Sequence, residues 1–240
     1  MRQFDYARDK RRDRVATLGL VVLQVDETIE SEFRTLIPDD RTVLHHTRVP
    51  SAEHVTPDLL RMMEGHIAHA VQLLPPRTLF DVIGYACTSG ATMIGPERVA
   101  TLVNSVHKEA RVTDPLTAVK AWLTNRKARR IGLLTPYVPE VTTALVDALG
   151  EVDISVTTSG SFFESDEYAV ARIAADDIFY AIENVAASGS CDAIFVSCTN
   201  LPTQKILALA ARRIGKPVIS SNAALAWHML KLAEGRPGMP

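Results

Sequence analysis

Cys87 and Cys198 are the residues of this chain whose type and setting fit chemistry. Cys87 lies in FDVIGYACTSG (residues 80–90) and Cys198 in CDAIFVSCTNL (residues 191–201), and when the two segments are aligned on Asp81 and Asp192 the cysteines coincide. Each segment runs Asp, then mainly apolar residues, then Cys-Thr, with small hydroxyl or amide residues and a helix-like stretch behind. That is a buried strand whose end is aimed at a site, and it occurs twice. A thiolate is a good base and nucleophile, and its pKa falls near helix N-termini or cations. Thr88, Ser89 and Gly90 after one cysteine, and Thr199 and Asn200 after the other, offer hydroxyl, amide and N–H donors at helix starts, which suit a substrate carboxylate. Two thiols flanking the carbon next to that carboxylate can take a proton from one face and return one to the other. This inverts the centre and calls for no metal or organic cofactor.

Other chemistries have less support. The third cysteine, Cys191, sits at a strand start with no motif of its own and reads as a packed thiol. Three cysteines without CxxC spacing make neither a disulfide framework nor a zinc site, so free thiols in a reducing compartment are expected. His66 and His69 share a helix face without a third ligand, His45 and His46 point to opposite faces of a strand, and His228 reads as a packed helix residue. No phosphate loop of Walker or dinucleotide type and no GxSxG elbow is present. A formal net charge of −2 gives no reason to expect nucleic-acid binding. No apolar run reaches the roughly 18 residues of a membrane span, and the N-terminus has no signal-peptide pattern. A cytoplasmic protein with no membrane partner is therefore expected.

The elements that must position the cysteines follow from the patterning. The chain is 47% hydrophobic and 22% charged, enough for a sizeable core, and its 240 residues accommodate two lobes of similar size. Residues 1–14 mix basic and acidic side chains without apolar periodicity and read as a solvated arm. Strands are expected at 17–23, 42–49, from Phe80, 131–135, 154–158, from Ala193 and at 217–220. Helices are expected at 26–36, 57–74, 96–106, 114–126, 139–149, 166–187, 203–214 and 222–232. The basic run at 126–130 suits the C-terminus of the 114–126 helix better than a nucleic-acid patch. Such alternation predicts an α/β fold with parallel sheets and helices on both faces. The expected division is lobe 1 over 15–115, completed by a C-terminal helix at 222–240, and lobe 2 over 116–221. In open parallel sheets ligands bind beyond the carboxyl ends of the strands, so pseudo-symmetric lobes would aim both thiols into one cleft.

With ACTSG, SCTNLP, TPYVPEV (135–141) and PVISSN (217–222) in view, the sequence resembles the aspartate/glutamate racemase superfamily, and within it the maleate isomerase and arylmalonate decarboxylase branch. The likeness extends over nearly the whole chain from about Thr17. It implies two Rossmann-like lobes with the site between them, no cofactor, and a homo-oligomer. It also implies that Cys87 and Cys198 are the catalytic pair and that Tyr137 helps hold a substrate carboxylate. Thr88, Ser89, Thr199 and Asn200 fall in the carboxylate cradle. Arylmalonate decarboxylases carry glycine at the first cysteine position, so Cys87 argues against decarboxylation.

Two departures bear on substrate. Maleate isomerases tend to have Asn where this chain has Asp26, and again where it has Glu167 or Asp166. An anion there repels a second substrate carboxylate and favours an ammonium or amide N–H. The expectation is a cofactor-independent racemase or epimerase acting α to the carboxylate of an amino-acid-like substrate. The segment LQVDETIE also resembles racemase-like proteins of ectoine utilisation, which implies an N-acetylated diaminobutyrate. A maleate cis–trans isomerase that works by cysteine addition is the main alternative. A decarboxylase and a non-catalytic binding protein on the same scaffold are the lesser ones.

Overall fold

The computed structural model describes residues 1–7, 15–38 and 40–235. Its first sheet places β1 (Ala16–Leu23) between β2 (Thr42–Val49) and β3 (Val82–Ala86), with β4 (Arg111–Thr113) beyond β3. The second sheet repeats that order: β5 (Arg130–Thr135) lies between β6 (Ser155–Ser161) and β7 (Ala193–Val196), with β8 (Val218–Ser220) beyond β7. Every pairing is parallel. Parallel strands need crossover connections, and helices covering both faces make the central strands near-continuously apolar, as ATLGLVVL in β1 shows. The result is an α/β fold of two lobes with the same strand order.

The aspartates that head the repeat fix strand register. Asp81 Oδ2 accepts the Thr17 N–H at 2.8 Å, and Asp192 Oδ2 accepts those of Arg129 and Arg130 at 3.1 and 2.9 Å. Each aspartate ties the entry of its strand to the start of the central strand beside it. That anchor, a few residues upstream, sets where the cysteine emerges at the other end.

Between the strands run α1 (Ile29–Leu36), α2 (Pro57–Met62), α3 (Glu64–Gln72), α4 (Thr88–Ile94), α5 (Pro96–Asn104), α6 (Pro115–Asn125), α7 (Pro139–Gly150), α8 (Glu167–Val170), α9 (Ala175–Ala187), α10 (Leu207–Ile214) and α11 (Ser221–Glu234). One face of β1, with Leu18, Leu20 and Val22, packs with Ile29 and Phe33 of α1 and with Leu225 and Met229 of α11. At about 1.5–3 kcal/mol per buried side chain of this size, those contacts bind α11 to the first sheet although it follows the second in sequence. Val21 and Leu23, on the opposite face, join a core that continues through both lobes.

Four expectations need correction. The helix expected at 57–74 is two, broken at Met63, whose buried side chain turns in toward Gly90 just before the weak helix former Gly65. The single helix expected at 166–187 is also two, α8 and α9, because Glu167 is drawn into the interior by Asn200 and Glu53. The helix expected from 203 starts at Leu207, since the N–H groups of Thr203 and Gln204 are held by the Glu32 carboxylate. The short edge strand β4 is an addition to the expected set. Residues 1–7 are exposed and without regular structure; the rest of the expected arm, 8–14, and residues 236–240 of the expected final helix lie outside the described residues. Among the described residues, no helix is long and apolar enough to cross a membrane.

Candidate active site

The sequence-predicted site residues gather beyond the carboxyl ends of the four inner strands, where the lobes meet: Asp26 after β1, Cys87 after β3, Tyr137 after β5 and Cys198 after β7. All are buried, with Cys87 and Cys198 only 3% and 4% exposed, so substrate entry requires the covering chain to move.

Cys87 caps the start of α4, its Sγ accepting the Gly90 N–H at 3.1 Å and lying 3.5 Å from Ser89 Oγ. A Cβ on residue 90 would sit 2.6 Å from Tyr85 Oη and 2.9 Å from Met63 Cε, so only glycine lets this N–H reach the sulfur. The second cysteine is held differently. Cys198 has φ +116°, a region that costs a non-glycine residue about 1–3 kcal/mol and persists only when its surroundings enforce it. Its N–H donates to Ser221 Oγ at 3.0 Å, and its Sγ accepts the Asn200 N–H at 3.4 Å. Thr199 and Asn200 therefore lie in a tight turn and not at a helix start as expected; only Thr88 and Ser89 open a helix.

Hydrogen bonds join the two cysteine segments across the lobes. Ser221 Oγ is 2.7 Å from Thr88 Oγ1, and Thr199 Oγ1 donates to the Ala86 carbonyl at 3.3 Å. Tyr137 Oη accepts from Ser197 Oγ at 3.4 Å, which places the phenol beside the Cys198 turn. Asn200 is the most heavily committed: its Oδ1 accepts the Glu27 N–H at 2.9 Å, and its Nδ2 donates to the Glu167 carbonyl at 2.9 Å and to Glu167 Oε2 at 2.7 Å. Thr88, Thr199 and Asn200 thus spend their polar groups on protein partners, Thr88 on Ser221, Thr199 on the Ala86 carbonyl and Asn200 on Glu27 and Glu167. Ser197, Ser221, Asn222 and Glu32 complete the network; the first three lie in the SCTNLP and PVISSN segments without being singled out there, and nothing in the local sequence marks Glu32.

Two acids stand beside the thiols. Asp26 Oδ1 accepts the N–H groups of Thr28 and Ile29 at 2.8 and 2.9 Å, starting α1 as an N-cap aspartate would. Its Oδ2 is buried without a hydrogen-bond partner among the described residues, and the nearby Thr199 hydroxyl is directed at the Ala86 carbonyl. Burial raises the Asp26 pKa, with the N–H groups of Ile29 and Thr28, the Thr199 hydroxyl and then Arg48 offsetting it. Burial likewise pushes Glu167 up to about 7, against the bond from Asn200 and reinforced by Asp26. The thiols respond to both acids. Cys87 is pushed up to about 12, first by burial and then by Glu167 and Asp26, while Ser89 and Gly90 pull the other way. Cys198 is raised well above 9.0 by burial, then by Glu167. The buried site thus holds neutral thiols, and a positive group beside the acids would act to lower their pKa against the effect of burial.

The cover over the site joins the lobes as well. The backbones of His54 and Asp166 form an antiparallel bridge, in which the Val55 N–H donates to the Ser165 carbonyl and the Glu167 N–H to that of Glu53, both at 2.9 Å. Arg172 forms a two-bond ion pair with Glu27 at 2.9 and 2.8 Å and lies over the Tyr168 ring. A cavity of about 400 Å³ outside Glu167 is lined by Glu27, Glu53, Asp166 and Tyr168 among others. A larger groove of about 710 Å³ runs between β6 and α9 and includes none of the predicted site residues. Among the described residues, no three His, Cys, Asp or Glu side chains come together as metal ligands would.

Two facing α/β lobes with a cysteine at matching strand ends are the layout of an enzyme with cysteine-dependent catalysis. The chain belongs to the arylmalonate decarboxylase family, whose sequence profile matches residues 53–238. A maleate isomerase from Alcaligenes faecalis is 26% identical over 229 residues, 89% of each chain. An arylmalonate decarboxylase from Bordetella bronchiseptica is 32% identical over 127 residues, about half of each (51% and 53%). In fold, the chain superposes with a TM-score of 0.81, at 24% identity and over 92% of its length and 93% of the other, on a cysteine-to-serine variant of Nocardia farcinica maleate cis–trans isomerase. That structure carries a covalently bound succinylcysteine intermediate.

Proposed function

We propose that this protein is a cofactor-independent isomerase in which Cys87 and Cys198 flank one carbon of a small carboxylate that also carries nitrogen, making it a racemase or epimerase. The observation that carries this reading is Asp26 Oδ2, buried and unpartnered next to Glu167. An ammonium or amide N–H of the substrate satisfies that oxygen. A positive nitrogen also offsets the negative charge that adds to burial in raising both thiols. One thiolate then takes the α-proton, the electron pair moves into the carboxylate, and the opposite thiol returns a proton to the other face. Tyr137, Thr88, Ser89, Thr199 and Asn200 are the groups that would meet the carboxylate once the cover opens.

A second reading has its own support. The relatives that match most of the chain are named maleate isomerases, and this favours cis–trans isomerisation over racemisation. There one thiolate adds to the double bond, the resulting C–C single bond rotates, and elimination restores the thiolate and the trans alkene, as the succinylcysteine in the Nocardia protein exemplifies. Against it stand Asp26 and Glu167, two buried acids that in their ionised forms would repel a dianionic substrate.

Proton NMR in deuterated buffer tests both. Single enantiomers of aspartate, glutamate and N-acetyl-2,4-diaminobutyrate are offered in parallel with maleate, and the Cys198→Ala protein serves as control. Loss of a Cα–H signal that requires Cys198, with the opposite hand appearing, is the expected result. Conversion of maleate to fumarate without exchange at the amino-acid substrates would replace the first reading by the second.

A further inference from the structure

We propose that Glu32, on α1 of the first lobe, is a positioning residue for Cys198, its carboxylate fixing the turn that presents the thiol. The role rests on the reading of Cys198 as a working thiol. Glu32 Oε1 accepts the N–H groups of Thr203 and Gln204 at 2.7 and 2.8 Å, and Oε2 accepts from Asn222 Nδ2 at 2.8 Å. The same Nδ2 donates to the Thr199 carbonyl at 2.8 Å, so one amide passes the hold of Glu32 to the residue next to Cys198. The turn is thereby pinned at both ends, at 199 through Asn222 and at 203–204 directly. On the near side of the sulfur, Ser221 Oγ takes the Cys198 N–H. Between these fixed points the chain keeps Cys198 at φ +116°.

Stability alone does not account for an acid here. Glu32 is only 7% exposed, and a buried carboxylate carries a desolvation cost that an apolar side chain of its size avoids. What the carboxylate supplies is direction. Three donors converge on its two oxygens, and no apolar residue reproduces that. No bond joins Glu32 to either sulfur, so its influence on Cys198 runs through Asn222, Thr199 and the 203–204 amides. Cys87 connects to this set through Ser221 and Thr88.

The test reads thiol positions without substrate, so it stands whichever reaction the enzyme performs. Wild type, Glu32→Met and Glu32→Gln are treated with iodoacetamide, and the alkylation rates of Cys87 and Cys198 are followed by peptide mass spectrometry. Glu32→Met removes all three acceptor contacts, and Cys198 is expected to react at least about tenfold faster relative to Cys87. Glu32→Gln keeps an oxygen for Thr203 and Gln204 but sets two amide NH₂ groups against each other at Asn222, so a smaller, severalfold rise is expected; it decides the matter if the Met variant does not fold. A Cys198-to-Cys87 ratio within about twofold of wild type would overturn the proposal, since a lost charge-assisted hydrogen bond corresponds to more than that. A joint rise at both thiols would equally overturn it, as the signature of general loosening.

Discussion

Replacing Glu167 by glutamine should change how stability depends on pH, by an amount the burial of this side chain sets. Glu167 is buried, and its pKa rises from 4.5 to about 7. A folded-state pKa above the unfolded one means that the folded protein binds this proton more tightly. The associated stability is fully present below the unfolded value and is lost as pH rises through the folded one. At ~1.36 kcal/mol per pH unit the shift corresponds to ~3 kcal/mol, most of it lost between about pH 5 and about pH 8. The glutamine side chain of the variant does not titrate, and its oxygen still accepts from Asn200 Nδ2. Urea unfolding of both proteins at the two pH values is the assay. Wild type should lose roughly 2–3 kcal/mol more than Glu167→Gln on going to the higher pH. Curves for the two proteins that stay parallel within ~0.5 kcal/mol, about the error of the extrapolation, would show that burial does not raise the Glu167 pKa, and the account of this side chain as a desolvated acid would fall with it.

Further outcomes follow from the same geometry. Changing either Cys87 or Cys198 to alanine should lower turnover at least about 10²-fold in the NMR exchange assay, because each supplies one half of the proton transfer; full activity in either variant would sink the two-thiol scheme. Asp26→Asn keeps an oxygen for the Thr28 and Ile29 N–H groups and removes a charge that raises both thiols, so the pH profiles of Cys87 and Cys198 alkylation should move to lower pH. The same variant should lose turnover of a nitrogen-bearing substrate. Gly90→Ala brings a methyl within 2.6 Å of Tyr85 Oη and 2.9 Å of Met63 Cε and should cost about 1–3 kcal/mol in urea unfolding, with no loss counting against the packing around Cys87.

What can be read from the sequence is whatever repeats or keeps a period. The Asp-to-Cys segments announce matching strands because the same residues recur at the same offset, and Asp81 and Asp192 prove to hold the same register contact. Tyr137, Asp26 and Glu167 come into view only through the family resemblance, since a loop tyrosine or an N-cap acid is ordinary by itself. The breaks after Val170 and before Leu207 are invisible because VARIAAD and TQKI lack the glycine or proline punctuation that marks a stop. Contacts far apart in sequence decide those ends: Asn200 on Glu167, Glu32 on Thr203 and Gln204. β4 spans 3 residues, too few to show alternation. Glu32 reads as one more polar position on a surface helix, and only the second lobe, 171 residues on, turns it into an acceptor.

The placement of α11 has a consequence for synthesis. Its body covers Leu18, Leu20 and Val22, among the first structured residues to be made, while its opening residues Ser221 and Asn222 hold the Cys198 turn. A nascent chain builds its N-terminal elements first, so the part of this β1 face that Leu225 and Met229 cover, beside α1, stays open until nearly everything else has been translated. One late helix then closes that face and tightens the Cys198 segment in the same event. The residues that hold the Cys198 turn are thus supplied only when synthesis is nearly complete.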